Sequence, residues 1–386
     1  MNQKSNQQKL DRTDTLYGLI KQSSKRAAQE QHAKGSFPPT RGGVYDTTET
    51  PVRNTARWLA CLLHSYEYSG STQIGEAAKK AADYLCTIEA RPYNATFRVR
   101  EEGKDQCDGL IGQAEPIKSL FNAGLLLNTD EHIHKAIEVF ELIPFNFEIG
   151  LWESVEITGK KLSFDRTLNH QLIFAAYTAK MSDMCASVKK EIITFLDMLG
   201  ENMETHPNGL VEHYVQPPLS NSITVLGNNP RHWRLLWNEL AARYLRLNNN
   251  HRNKERGYQP TVLFSLAILN QEFPDHSIWE HSCLQSALAF SKTKPYQNQI
   301  KTRKSKYGSR LPGLHHAKVL HTFEDASPEE LRPWVQLDID RTYDPETGLL
   351  TRNAVDPVFQ ASSISAATEL PDMEIQVPDE RNSESY

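Results

Sequence analysis

The chain has 386 residues and a formal net charge of −5, with 39% hydrophobic and 24% charged residues. The apolar share supports a sizeable core, and the charge content is that of a globular chain rather than a disordered one. A mildly acidic balance excludes a general electrostatic attraction for nucleic acid, and no stretch approaches the ~18 apolar residues that a membrane span requires.

The N-terminus, MNQKSNQQKLDRTD, lacks the apolar segment and cleavage site of a signal peptide, so a cytoplasmic location is expected. Cys61, Cys86, Cys107, Cys185 and Cys283 are scattered and form no C-x-x-C pair, which points to neither a disulfide framework nor a zinc knuckle. A first helix is predicted near residues 11–32. From Pro51 a second helix places Ala56, Leu59, Leu63 and Tyr66 on one face, capped by Thr50 and ended by Gly70. After a two-residue step a third carries Ile74, Ala78, Ala81 and Leu85 at spacings of three and four, so the two form an antiparallel hairpin.

The same unit recurs. Residues 111–128 precede 130–143, and residues 168–181 precede 186–203. Three further pairs are expected: 230–247 with 260–273, 277–291 with 311–323, and 328–343 with 356–370. This is repetition of architecture rather than of sequence. The connectors YNATFRVREEGKDQCDG, GLWESVEITGKKLSFD, NGLVEHYVQPPLSNSITV and YDPETGLLTRNAVD read as small β-hairpins that each end where a helix begins. The last pair keeps a full apolar face in Val358, Phe359, Ile364 and Ala367, whereas an open array would end in a polar cap. The expected fold is therefore all-α: an (α/α)6 toroid of helical hairpins with β-hairpin loops at one mouth. Residues 1–370 form one domain, and 371–386 an acidic, disordered tail.

The runs DGLIGQAEPIKSLFNAG from Asp108 and FDRTLNHQLIFAAYTA from Phe164 resemble the six-hairpin glycosidase superfamily, the α/α-toroid group that includes the unsaturated glucuronyl hydrolases and members of polysaccharide gene clusters. The repeat pattern that carries the resemblance spans most of residues 45–370. The glycine–tryptophan stretches that accompany the paired aspartates of the glucuronyl hydrolases are missing, so the resemblance implies architecture and not substrate or reaction.

In a toroid the loops before the inner helices face one mouth, and these loops are rich in groups that bind sugars or move protons. Asp108 precedes GLIGQ, whose two glycines let a ligand approach the backbone; the competing reading is a helix cap. Asp165 has the same ambiguity with Thr167. Glu153 lies in a strand, WESVEI, whose alternation sets it on one face with Val155 and Ile157 and Trp152 on the other; if Val155 and Ile157 pack inward, Glu153 is drawn in with them, and the competing, favoured reading is an ordinary surface strand. Asn169, His170 and Gln171 open an otherwise apolar helix, and one of them must face the inner wall; His170 is suited to shuttle a proton or bind a carboxylate, the competing reading being a histidine hydrogen-bonded to a backbone carbonyl.

Glycosidic cleavage needs one protonated and one ionised carboxyl. A glycoside hydrolase acting on an acidic oligo- or polysaccharide is the leading expectation, with Asp108 and Asp165 as acid and base and with Glu153 and His170 as further catalytic candidates. Arg53, Asn54, Gln113, Arg166, Asn169, Glu212, His213, His232 and Trp233 are the expected sugar-binding residues, Arg being suited to a carboxylate. A lyase or uronate epimerase using His170, His213 and Tyr214, and a non-catalytic sugar-binding or scaffold subunit of polysaccharide assembly, are the alternatives. His315, His316 and His321 have poor spacing for a metal, and neither metal nor cofactor is expected. The basic stretch from Lys301 to Arg310 reads as a solvated loop.

Overall fold

The computed structural model describes residues 14–42, 46–103, 105–218, 250–302 and 307–378. Helix α1 spans Leu16–Gln29. Helix α2 (Val52–Ser69) begins behind Pro51 and stops where Gly70 turns left-handed at φ 61°. Helix α3 (Thr72–Leu85) buries Ile74, Ala78, Ala81 and Leu85, the face its spacing predicts. Helices α4 (Gly109–Leu127) and α5 (Asp130–Glu141) form the next hairpin. They approach closely because Gly124 has no side chain: a Cβ there would lie 2.4 Å from the Ile133 side chain and 2.9 Å from its backbone nitrogen. Helices α6 (Leu168–Thr178) and α7 (Ala186–Asn202) complete the third pair.

Beyond these lie α8 (Asn250–Glu272), α9 (Ser282–Ser291), α10 (Lys294–Thr302), α11 (Pro312–Phe323), α12 (Pro328–Thr342) and α13 (Pro357–Ser362), which continues as a 3-10 turn through Glu369. The contacts trace a closed circuit. Helix α2 packs on α4, α4 on α6, α6 on α8 and α8 on α11; the run Pro357–Glu369 then touches both α11 and α2. The fold is an all-α toroid with these six segments as its inner wall. An inner helix has neighbours on several sides, so α6 is buried around its circumference, at Leu168, Asn169, Leu172, Phe174 and Ala176 alike. An outer helix has one covered stripe: α7 buries Val188, Ile192, Phe195 and Leu199 and exposes Lys189 and Lys190.

The pairing departs from the sequence reading in its second half. Residues 230–247 lie outside the described residues. Segments 260–273 and 311–323, expected as second members of their pairs, belong to the inner wall. Helix α12 packs on α11, and α1 is the outer partner of the last inner run. That partnership is fastened by the chain ends. Thr15 bridges Glu374, Leu16 N–H donates to Met373 O at 2.9 Å, and Tyr17 N–H donates to Asp372 Oδ1 at 2.9 Å. Residues 371–378, read as part of a disordered tail, instead bury Met373 and Ile375 against the core. The acidic sequence obscured two apolar residues spaced for a single strand-like contact.

Of the expected β-hairpins, one is a sheet. Strands β1 (Phe145–Asn146), β2 (Leu151–Val155) and β3 (Lys161–Phe164) pair antiparallel, with Phe145 opposite Trp152 and Glu153 opposite Phe164. The other connectors make single bridges, Glu49 to Arg100, Thr167 to Tyr214, Thr205 to Val211 and Asp344 to Leu349. Trp152, assigned to the outward face, is fully buried: it packs on Phe174 and Phe195 at ring centroid distances of 5.2 and 5.1 Å. Strand β2 is covered by helices on that side, so simple alternation does not describe its burial. Among the described residues no helix is long and apolar enough to cross a membrane.

Candidate active site

A cavity of about 390 Å³ opens at the mouth where the inner helices begin, within the ~300–1,000 Å³ typical of small-molecule sites. Arg57, Glu115 and Tyr177 also line a smaller pocket that reaches Lys118 and Glu369. Lys118 is ion-paired to Glu369, and Lys318 donates to Glu369 O at 3.0 Å and to Gln271 Oε1 at 2.5 Å.

Arg53, in the first turn of α2, is the hub of the wall. It donates to Glu49 Oε1 at 2.9 Å and to Asp108 Oδ2, while its Nε lies 3.6 Å from Glu115 Oε2. Arg100 takes the other oxygen of Asp108, and Arg57 holds Glu115 Oε1 at 2.8 Å. Asp108 is thus no helix cap. It makes no side-chain cap bond and sits left-handed at φ 55°, followed by Gly109 at the same angle. This double turn is one that Asp and Gly tolerate better than other residues, and it swings the carboxylate away from the helix axis and into the arginines.

Asp165 stands on the other side of that turn. Its Oδ2 lies 2.9 Å from His170 Nδ1 and accepts from Leu110 N–H at 3.4 Å; its Oδ1 accepts from Thr167 N–H at 3.0 Å. Burial pushes the Asp165 carboxyl up, but the His170 charge and hydrogen bond and the two backbone N–H groups outweigh it, and the group ends below its ordinary value. Burial likewise pushes His170 down, and Asp165 together with the Asp108 charge raises it above its ordinary value. His170 keeps a quarter of its side chain exposed and lines the cavity. Its ring nitrogens differ in role: Nδ1 is fixed by Asp165, which orients the imidazole as an Asp does in a catalytic triad.

His315, Tyr177, His213, Tyr214 and Tyr258 also line the cavity. Burial and Arg57 push His315 down to about 3, so it remains a neutral imidazole. His213 stacks on Tyr258 with 5.4 Å between centroids and meets the Tyr214 edge at 4.6 Å. Several buried polar atoms around the cavity have no hydrogen-bond partner among the described residues: Asn169 Oδ1, Glu115 Oε2, Arg57 Nη1 and His315 Nδ1. Native interiors rarely leave such atoms unmatched. Among the described residues no group of three His, Cys, Asp or Glu side chains is placed to hold a metal ion.

The sequence-derived residues therefore separate. Arg53, Asp108, Asn169, His170 and His213 line the cavity, with Asp165 directly behind His170. Asn54 donates to Pro38 O, and Gln113 is spent on the backbone of Phe97 and Cys107, so both serve the loops. Glu153 pairs across to Phe164 in the sheet, Arg166 lies over the Phe164 ring, and Glu212 accepts from Gln216; none of the three lines the cavity. His232 and Trp233 fall outside the described residues. Arg57, Glu115, Tyr177 and Arg310 line the cavity and were not among the residues picked out from the sequence. Glu115 and Tyr177 lie seven residues after Asp108 and His170, two turns down the same helix faces.

The architecture is that of the six-hairpin glycosidase-like α/α toroids. An α-1,6-mannanase from Salegentibacter sp. HEL1_6 superimposes with a TM-score of 0.53 at 11% identity, covering 92% of this chain and 98% of its own. An unsaturated glucuronyl hydrolase specific for heparin gives 0.58 at 13% identity, covering 92% and 95%. A D-mannose isomerase gives 0.60 at 12% identity, covering 92% and 96%. No family model matches the sequence. Archaeal glycosylation protein Q of Haloferax volcanii is 34% identical over 370 residues, spanning 94% of this chain and 99% of that protein. The chain belongs to the family of that glycosylation protein.

Proposed function

We propose that this protein is an enzyme of glycan assembly that transfers a proton on an acidic sugar unit, epimerising or isomerising it, with His170 as the proton donor and acceptor. The observation that carries the reading is the Asp165–His170 pair at the cavity wall, 2.9 Å apart. Proton transfer next to a carboxyl or carbonyl group needs a positioned acid–base side chain more than it needs two free carboxyls. The Asp165 carboxylate raises His170 and so favours the protonated imidazole, which can deliver a proton. Neutral His315, which also lines the cavity, can hydrogen-bond the substrate without adding charge.

The acidic substrate follows from charge. Arg53, Arg57, Arg100, Lys254 and Arg310 line the cavity against Glu49, Asp108 and Glu115, a cationic chamber in a chain of net charge −5. Such a chamber concentrates anionic ligands. The His213–Tyr214–Tyr258 cluster offers ring faces for a sugar. The glycosylation relative supports a role in building a glycan, and the solved relatives include proteins named as hydrolases and as an isomerase.

Hydrolysis of a glycosidic bond is the second reading. As Asp108 and Asp165 stand, each has both oxygens engaged. Glu115 is the carboxylate that favours this reading, because its Oε2 accepts no hydrogen bond among the described residues and meets Arg53 Nε only at 3.6 Å. It would act as base opposite His170 as acid.

Incubation of glucuronate, galacturonate and their oligomers in D2O and in H2(18)O separates these chemistries. Proton transfer adds one mass unit per exchanged C–H without cleavage, whereas hydrolysis incorporates 18O and shortens the chain. Elimination produces ultraviolet absorbance. Exchange that disappears in His170→Asn supports the proposal; no exchange on any acidic sugar, or exchange undiminished in His170→Asn, rejects it.

A further inference from the structure

The guanidinium groups of Arg57 and Arg310 both lie over one aromatic ring. Arg57 Cζ is 4.2 Å and Arg310 Cζ 5.6 Å from the Phe359 centroid, and all three side chains line the cavity. The two cations differ in how they are balanced. Arg57 is paired with Glu115 at 2.8 Å. Arg310 makes no ion pair with any described residue. Asp356, the acid whose charge reaches it, spends Oδ1 on Phe359 N–H at 3.0 Å and Oδ2 on Arg41 N–H at 2.6 Å. Burial and the Arg57 charge work against the charged form of Arg310 and outweigh the support it draws from Asp356 and Tyr258.

The loop that carries Arg310 is held in place on both sides. Gly308 is left-handed at φ 83°, and a Cβ there would lie 1.7 Å from Gly257 O, so the loop rests directly on the α8 backbone. Ser309 Oγ accepts from Leu311 N–H at 3.1 Å. This end of the basic stretch is thus not the solvated loop expected from composition. A fixed, half-buried guanidinium with no ion-pair partner among the described residues, beside a second cation, is under-compensated until an anion arrives.

Resting on the acidic-sugar reading above, we infer that Arg310, with Arg57 and the Phe359 ring, forms the subsite that takes the negatively charged group of the substrate. The group is a planar or tetrahedral oxyanion: the sugar's own carboxylate, or the phosphate through which the sugar is linked to a carrier. Both match the forked donors of Arg. Arg310 is then the specificity-determining residue, distinct from the proton-transferring His170.

The test is calorimetric binding of glucuronate, glucose 1-phosphate and glucose to wild type, Arg310→Gln, Arg310→Lys and His170→Asn, each checked by thermal melting. Wild type is expected to prefer at least one of the two anions over glucose by tenfold or more. The preferred anion distinguishes carboxylate from phosphate. Arg310→Gln should lose that preference while binding glucose unchanged, and Arg310→Lys should keep part of it. His170→Asn should keep the preference in full, even though exchange is lost, which separates failure of the subsite from failure of the acid–base assignment. Wild type that binds neither anion better than glucose, or Arg310→Gln that retains the preference, overturns the inference.

Discussion

Asp165 and His170 are five residues apart in sequence and share one hydrogen bond of 2.9 Å between Oδ2 and Nδ1, made across the start of α6 and backed by the first turn of α4. Their shifts run in opposite directions, which sets the sign of a pH effect. His170 is raised, so its contribution is fully present below the ordinary imidazole value of ~6.5 and fades as pH rises through the folded value. Asp165 is lowered, so its contribution is fully present above the ordinary ~3.9 and fades as pH falls. The pair therefore stabilises most between about pH 4 and 6.5. A double-mutant cycle with Asp165→Asn and His170→Asn, read by urea unfolding, is expected to give a coupling of about 1.5–3 kcal/mol in that window and less at pH 8.5. Coupling that is flat with pH would contradict it.

Asp165→Asn should also change how His170 titrates. With the carboxylate removed, burial remains and pushes the imidazole down. NMR titration of His170 should show a value below that of the wild type, and any exchange activity should shift its alkaline limb to lower pH.

Asp108 is expected to act as a structural ion-pair centre as well as a site wall. Asp108→Asn leaves Arg53, itself 7% exposed, without one of its carboxylates. Breaking a buried pair from one side costs about 3–5 kcal/mol. A clear fall in melting temperature is predicted, larger than for Glu153→Gln in the sheet. Equal melting temperatures would show the Arg53 network to be dispensable.

Gly109 tests the geometry without touching charge. Its Cβ position lies 2.7 Å from Asp165 Oδ2, and its φ of 55° is left-handed. Gly109→Ala costs about 1–2 kcal/mol in backbone strain and pushes the Asp165 carboxylate from His170. Activity should fall more than tenfold while circular dichroism stays helical. Gly103→Ala has open space and a left-handed φ of 103°, so it controls for strain alone and should leave activity near wild type.

Much of this was legible in the sequence, and the failures share one physical origin. The first three hairpins follow from apolar spacing and from Gly70 and Pro51. Arg53, Asp108, Asn169 and His170 were found because they stand where inner helices begin. Helix α8 was misread because Asn250–Gly257 is polar, and a polar run before Pro260 resembles a loop. It is helical because its side chains Lys254 and Tyr258 face a polar cavity rather than solvent. Periodicity analysis equates polar with outside, and a toroid has a polar inside. Glu115 and Tyr177 were missed for the same reason, although each repeats the face of a recognised residue two turns later. Arg310 was hidden in a basic run, where composition gives no sign that the last residue turns inward.

The bond between Leu16 and Met373 has a consequence for synthesis. Tyr17 and Asp372 are 355 residues apart, so α1 is synthesised long before the segment that covers it. Until residue 375 emerges, α1 can rest on α2 and α3, with the face meant for Leu370 and Met373 open to water. Ring closure is thus a late, long-range event. A nascent chain stalled before that point would hold most of its hairpins and still lack a closed ring.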